Sequence, residues 1–92
     1  MEKQEAEKIT RYICNEMREV RKQRRLTQED VAFSLDITAS YVSRIENGLF
    51  SNTPMYLFIQ LCDLYNIEFS KVINRAYEKV IIDTKYSWYF TP

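Results

Sequence analysis

The side chains best suited to chemistry in this 92-residue chain are hydrogen-bonding groups gathered in one short stretch: Gln28, Ser40, Ser43, Arg44 and Asn47. They are mostly small and polar, with one long cation, a set that recognises a surface rather than breaking a bond. The rest of the composition agrees. The chain has no histidine, so it has no histidine-based triad, no imidazole base and no mixed cysteine-histidine zinc finger. Its two cysteines, Cys14 and Cys62, are too few for a four-cysteine metal site, and its one glycine cannot supply a glycine-rich phosphate loop. No catalytic residue, metal site or cofactor is expected, and the chain does not read as an enzyme. Thirteen basic and thirteen acidic residues cancel, so affinity for a polyanion must come from local placement of charge.

The scarcity of Gly and Pro favours helices joined by short turns. A first helix is predicted over 4–24, with Ile9, Ile13, Met17 and Val20 as its apolar stripe and Glu5, Glu7, Arg11, Glu16, Arg18 and Glu19 as a solvated face. Its end is basic, with Arg18, Arg21, Lys22, Arg24 and Arg25, a cluster with two readings: cations that suit the helix dipole and stay solvated, or a basic end placed near a polyanion backbone. Thr27 N-caps a second helix, with Asp30 as a weak capping-box partner, and Val31, Ala32 and Leu35 share one face. Leu35-Asp36-Ile37 leaves room only for a tight turn. Thr38 N-caps a third helix that Gly48 stops. At about 100° per residue, Val42 and Ile45 point inward. Ser40, Ser43, Arg44 and Asn47 point outward, and Ala39 and Tyr41 lie on the edges. Thr53-Pro54 opens a fourth helix, with Thr53 as the cap, and a fifth runs from about Glu68 to about Val80. The tail from Ile81 to Pro92, with Tyr86, Trp88 and Phe90 alternating with Ser87 and Tyr89, reads as an extended or β arm.

Two short helices joined by a tight turn, the second with a polar outer face, form a helix-turn-helix pattern. The segment from Leu26 through Thr27, Gln28, Val31, Ala32, Leu35 and Ile37 to Ser40, Val42, Arg44, Ile45, Glu46, Asn47 and Gly48 closely resembles the phage-repressor and Cro-like (XRE-type) family, over roughly 13–73. The resemblance implies an all-α, five-helix bundle whose third helix enters the major groove of double-stranded DNA. It implies that Thr27 and Gln28 meet a phosphate at the start of the second helix. Ala39, Ser40 and Arg44 would face base edges, with Tyr41 on the rim and Ser43 and Asn47 on phosphates. Arg44 would read guanine, whose O6 and N7 accept both arms of its fork. Arg21 and Glu46 match a structural ion pair. The family's usual glycine after Leu35 is Asp36 here, and Asp tolerates the positive φ of that turn better than most residues. Phe33 stands where a polar residue is common.

Residues 1–80 are therefore expected to be a DNA-binding domain, and 81–92 an aromatic arm. The fourth helix is apolar nearly all round. Met55, Phe58, Ile59, Leu61, Cys62 and Tyr65 are assigned to the core, which leaves Tyr56, Leu57 and Leu64 to join Tyr86, Trp88 and Phe90 in a homodimer interface. A two-fold dimer would read a palindromic operator as a repressor. The competing expectation is a protein-interaction module, or an antitoxin-like partner protein, with the same fold and little DNA binding. With 92 residues and no room for a sensing domain, a signal would act through a regulatory partner protein, concentration or the tail. No run is long enough to span a membrane, and a cytoplasmic location with reduced thiols is expected.

Overall fold

The structure, a computed structural model, describes residues 1–49 and 53–86, with side chains up to Thr84. Five helices follow one another: α1 (Lys3–Gln23), α2 (Gln28–Leu35), α3 (Ala39–Glu46), α4 (Met55–Tyr65) and α5 (Phe69–Tyr86). No strand occurs among the described residues. α1 is the spine, packing on α3, α4 and α5, while α2 packs on α3. The all-α, five-helix bundle is as expected, and most of its boundaries have a local cause.

The caps of α2 and α3 follow their sequence signals. Thr27 Oγ1 accepts from the Asp30 backbone N–H at 3.0 Å, and Asp30 Oδ2 accepts from the Thr27 N–H at 2.8 Å, so the capping box is complete. Hydrogen bonds to the Asp30 carboxyl from the Thr27 backbone N–H, and then from the Thr27 side chain, hold it below its ordinary value. Thr38 Oγ1 accepts from the Tyr41 N–H at 3.0 Å. At α4 the expected cap is off by one residue. Pro54 is the N-cap and no side chain caps the end, because the helix begins at Met55.

Four helices end through a left-handed residue: Arg25, Asp36, Gly48 and Asn66, all near φ 53–65°. In each case the next residue is apolar and its N–H donates to the carbonyl five residues back. The pairs are Leu26 to Arg21, Ile37 to Ala32, Leu49 to Arg44 and Ile67 to Cys62. Leu26, Ile37 and Ile67 then pack on the core, so each helix stop also anchors a loop. Asp36 at φ 55° adopts the conformation its place in the turn requires. Gly48 is needed for a second reason: a Cβ there would lie 3.0 Å from Arg11 Cγ.

The core is built from Met17 and Val20 of α1, Val31 of α2, Val42 and Ile45 of α3, Leu57, Leu61 and Tyr65 of α4, and Val72 of α5. Burying one such side chain is worth roughly 1.5–3 kcal/mol. Phe58 stacks on Phe69, centroids 5.8 Å apart, and clips α4 to α5. Cys14 and Cys62 are buried free thiols, and burial pushes both pKa values up.

Three further sequence expectations are corrected. Glu16 is not on the solvated face of α1. It is buried, and its carboxylate accepts from Lys79 Nζ of α5. On α4 the phase of the inner face differs from the one assigned: Leu57 is 4% exposed, whereas Met55 and Ile59 are 61% and 56% exposed. The polar residues Gln60 and Asp63 are too few to mark the outer face of so apolar a helix. Finally, α5 does not end near Val80 but runs unbroken through 81–86, where an extended arm was expected. α1 extends back to Lys3 alongside it, and the Tyr12 hydroxyl donates to the Asp83 carboxylate, so this end of α5 has a helical partner. Residues 87–92, including Trp88 and Phe90, lie outside the described residues.

Candidate nucleic-acid interface

The outer face of α3 is the one its sequence period assigns. Val42, Ile45 and Glu46 are buried. Ser40, Arg44 and Asn47 are exposed, and Ala39, Tyr41 and Ser43 are half-buried. Thr27, exposed at the first turn of α2, and half-buried Gln28 beside it complete the set. The structure thus gathers all eight proposed contact residues at the paired α2–α3 unit. Both helices are capped by side chains, and the three residues between them, 36–38, turn through Asp36 at positive φ.

Glu46 anchors this unit to α1. Its Oε2 accepts from Arg21 Nε at 2.6 Å and its Oε1 from Arg21 Nη2 at 3.2 Å, a two-pronged pair enclosed in the bundle. Arg21 Nη1 also donates to the Leu26 carbonyl at 2.8 Å, which fixes the loop before α2. The expected scaffold pair is present. Its carboxylate drives the Arg21 guanidinium further toward the protonated form. Beside it, burial and then the negative Glu46 push the Tyr65 phenol well up.

Gln28 is more constrained than its expected role suggests. Its Nε2 donates to Glu46 Oε1 at 3.0 Å, so the end of α3 holds the amide in place. The second amide N–H and the carbonyl oxygen remain as further hydrogen-bonding groups. Asn47 is likewise tethered, with Nδ2 donating to the Ser43 carbonyl at 2.8 Å.

A contact absent from the sequence-based set joins this face to α1: Arg18 Nη1 donates to Asn47 Oδ1 at 3.2 Å. A signal for it existed. Arg21 pairs with Glu46, so the residue one turn earlier on α1 faces the neighbour of Glu46, which is Asn47. The basic end of α1 does not act as one cluster either. Arg24 Nε is committed to the Tyr65 carbonyl at 2.6 Å.

Of the interface residues expected on α4, Tyr56 is 62% exposed beside Met55 and Ile59. Leu57 belongs to the core of its own chain and is unavailable to a partner, and Leu64 is half-buried against that core. The Tyr86 backbone is helical, but its side chain, with Trp88 and Phe90, lies outside the described residues. Among the described residues no helix is long and apolar enough to cross a membrane, and no cluster of three or more His, Cys, Asp or Glu could hold a metal.

The family model for helix-turn-helix matches residues 17–72. The match spans the last third of α1 through the start of α5, and so includes every proposed contact on α2 and α3. A stretch of 68 residues, 74% of this chain, is 32% identical to part of glutamine–fructose-6-phosphate aminotransferase (isomerizing) of Methanocaldococcus jannaschii, of which it covers 6%. The chain thus spans a small fraction of that protein's length.

Proposed function

Because the chain belongs to the helix-turn-helix family, whose phage-repressor and Cro-like members are DNA-binding regulators, we propose that it is a dimeric transcriptional repressor. In this proposal it acts in the cytoplasm and reads a palindromic operator by placing α3 in the major groove. The observation that carries the proposal is the division of α3 into two faces. Val42, Ile45 and Glu46 lock one face to the bundle, and Ser40, Arg44 and Asn47 are presented outward on the other. Such a face offers hydrogen bonds to base edges and phosphates and little apolar surface. Arg44 reads guanine, Ala39 and Ser40 meet neighbouring base edges, and Tyr41 lies on the rim. Ser43 and Asn47 meet phosphates on one side of the groove, and Thr27 and Gln28 on the other.

The test is selection of bound sites from random duplex DNA, followed by titration with salt. A palindromic site and an affinity that falls steeply with salt are expected. Arg44→Ala flattens the preference at one base position per half-site, whereas Gln28→Ala weakens all sequences alike. Equal, salt-insensitive retention of every sequence rejects the proposal.

One observation favours the alternative of a protein-interaction module. Met55, Tyr56 and Ile59 expose an apolar stripe on α4, and Phe33 on α2 is 91% exposed. If that stripe rather than α3 is the working surface, Tyr56→Glu abolishes partner binding while Arg44→Ala changes nothing.

A further inference from the structure

Three cations on α1 share a flank. Arg11, Arg18 and Lys22 are spaced seven and four residues apart, which places them within about 40° of one another around the axis, over about 16 Å of helix. The flank borders the C-terminal end of α3. Arg18 Nη1 reaches Asn47 Oδ1 at 3.2 Å, and the Arg11 side chain lies so close over Gly48 that a Cβ there would sit 3.0 Å from its Cγ. Arg11 and Lys22 are exposed and Arg18 is half-buried. Among the described residues none of the three stands in an ion pair. Two acids of α1 are already engaged: Glu16 is buried against Lys79, and Glu7 is paired with Lys3 at 3.8 Å.

Arg18 is the centre of the row. Among the described residues its Nε is enclosed with no acceptor, so the stem is held by packing, and the acceptor its Nη1 has is a neutral amide rather than a carboxylate. A guanidinium fixed in this way keeps its charge uncompensated and loses little freedom on meeting an anion. The partner that fits a row of such charges beside a groove-reading helix is a sugar-phosphate backbone, which carries one charge per 3.4 Å of axis on each strand.

We propose that α1 supplies a phosphate track of its own, with Arg11, Arg18 and Lys22 contacting the DNA backbone that flanks the C-terminal end of α3. The inference rests on the DNA-binding function above and extends its footprint beyond α2 and α3. Arg11 lies outside the matched residues 17–72, so the track lengthens the interface past the family core. It also accounts for how a chain of zero net charge concentrates positive charge where a polyanion docks.

The test is the slope of log affinity against log salt for the full chain on a duplex carrying its selected site. Each lost phosphate contact lowers the slope by about 0.9. With all three contacts removed in Arg11→Gln/Arg18→Gln/Lys22→Gln, the wild-type affinity should fall about 40-fold further than that of the variant between 50 and 200 mM salt. The order of preferred bases stays the same. Should the Arg18 substitution disturb folding, Arg11→Gln and Lys22→Gln, both at exposed positions, each still lower the slope by about 0.9. A wild-type slope in the triple variant, or in both exposed single variants, overturns the track while leaving the DNA-binding function standing. Failure of the wild-type chain to bind any duplex overturns both.

Discussion

Arg18 and Arg21 sit one turn apart on α1, and both point toward the end of α3. Arg21 meets a carboxylate. Its two-pronged pair with Glu46, supported by Gln28 and the Leu26 carbonyl, is enclosed in the bundle, and each of its three guanidinium nitrogens donates. Among the described residues, Arg18 meets only the amide of Asn47. One residue type, in one helix, therefore serves as scaffold in one place and as a candidate contact in the other, and the nature of the partner decides which. A buried charge needs a full counter-charge to be tolerated, whereas a charge at the surface is available to a ligand when its neighbour is neutral.

Removing the two partners should separate these roles most sharply. Glu46→Ala strips the counter-charge from Arg21 and the acceptor from Gln28, and should destabilise the fold by about 3–5 kcal/mol in urea unfolding. A loss below about 1 kcal/mol would mean that the pair is not the clamp its geometry indicates. Arg44→Ala comes next, with a loss of about 1–3 kcal/mol in discrimination at one base pair and unchanged thermal stability. A large drop in Tm would transfer Arg44 to the scaffold side. Thr27→Ala removes an N-cap and should cost about 1 kcal/mol, or about 4–8 °C in Tm for a domain of this size. Asn47→Ala should change stability by about 0.5 kcal/mol or less while weakening DNA binding for all sequences. The reverse pattern would make Arg18 a scaffold residue like Arg21.

The smallest effect is a dependence on pH. The folded Asp30 carboxyl is depressed by its hydrogen bonds to Thr27. Its contribution to stability is therefore fully present above the unfolded value of 3.8 and is lost as pH falls through the lower folded value. Asp30→Ala should flatten the acid limb of the stability profile below about pH 4, as read by thermal melts at several pH values. An unaltered acid limb would rule out the capping carboxylate as its source.

What was legible in the sequence was local. Thr27 with Asp30, Thr38, Asp36 and Gly48 each act within a few residues, so their types alone mark where α2 and α3 start and stop. The two-faced α3 was legible too, because its polar residues fix the phase. The Arg21–Glu46 pair, though long-range, came through a resemblance that carries tertiary information. Where such markers are missing, the sequence leaves a choice open. α4 has apolar residues on every side, so the exchange of Leu57 for Met55 and Ile59 in the core could be decided only by the helices packed around it. In the last turns of α5 the alternation after Ile81 suggests a strand, yet α1 offers a helical neighbour and 81–86 stay helical.

The sequence by itself thus determined the five-helix plan, the helix-turn-helix unit and the side chains that face outward from α3, because these follow from periodicity and capping within a few turns. Tertiary structure alone decided that Glu16 is buried against Lys79, that Leu57 belongs to the core, and that Arg11 lies over Gly48 at the end of α3. Those facts depend on which helix packs against which flank. The physical reason is that burial and charge pairing are properties of two surfaces in contact, and a helix read alone shows only one of them.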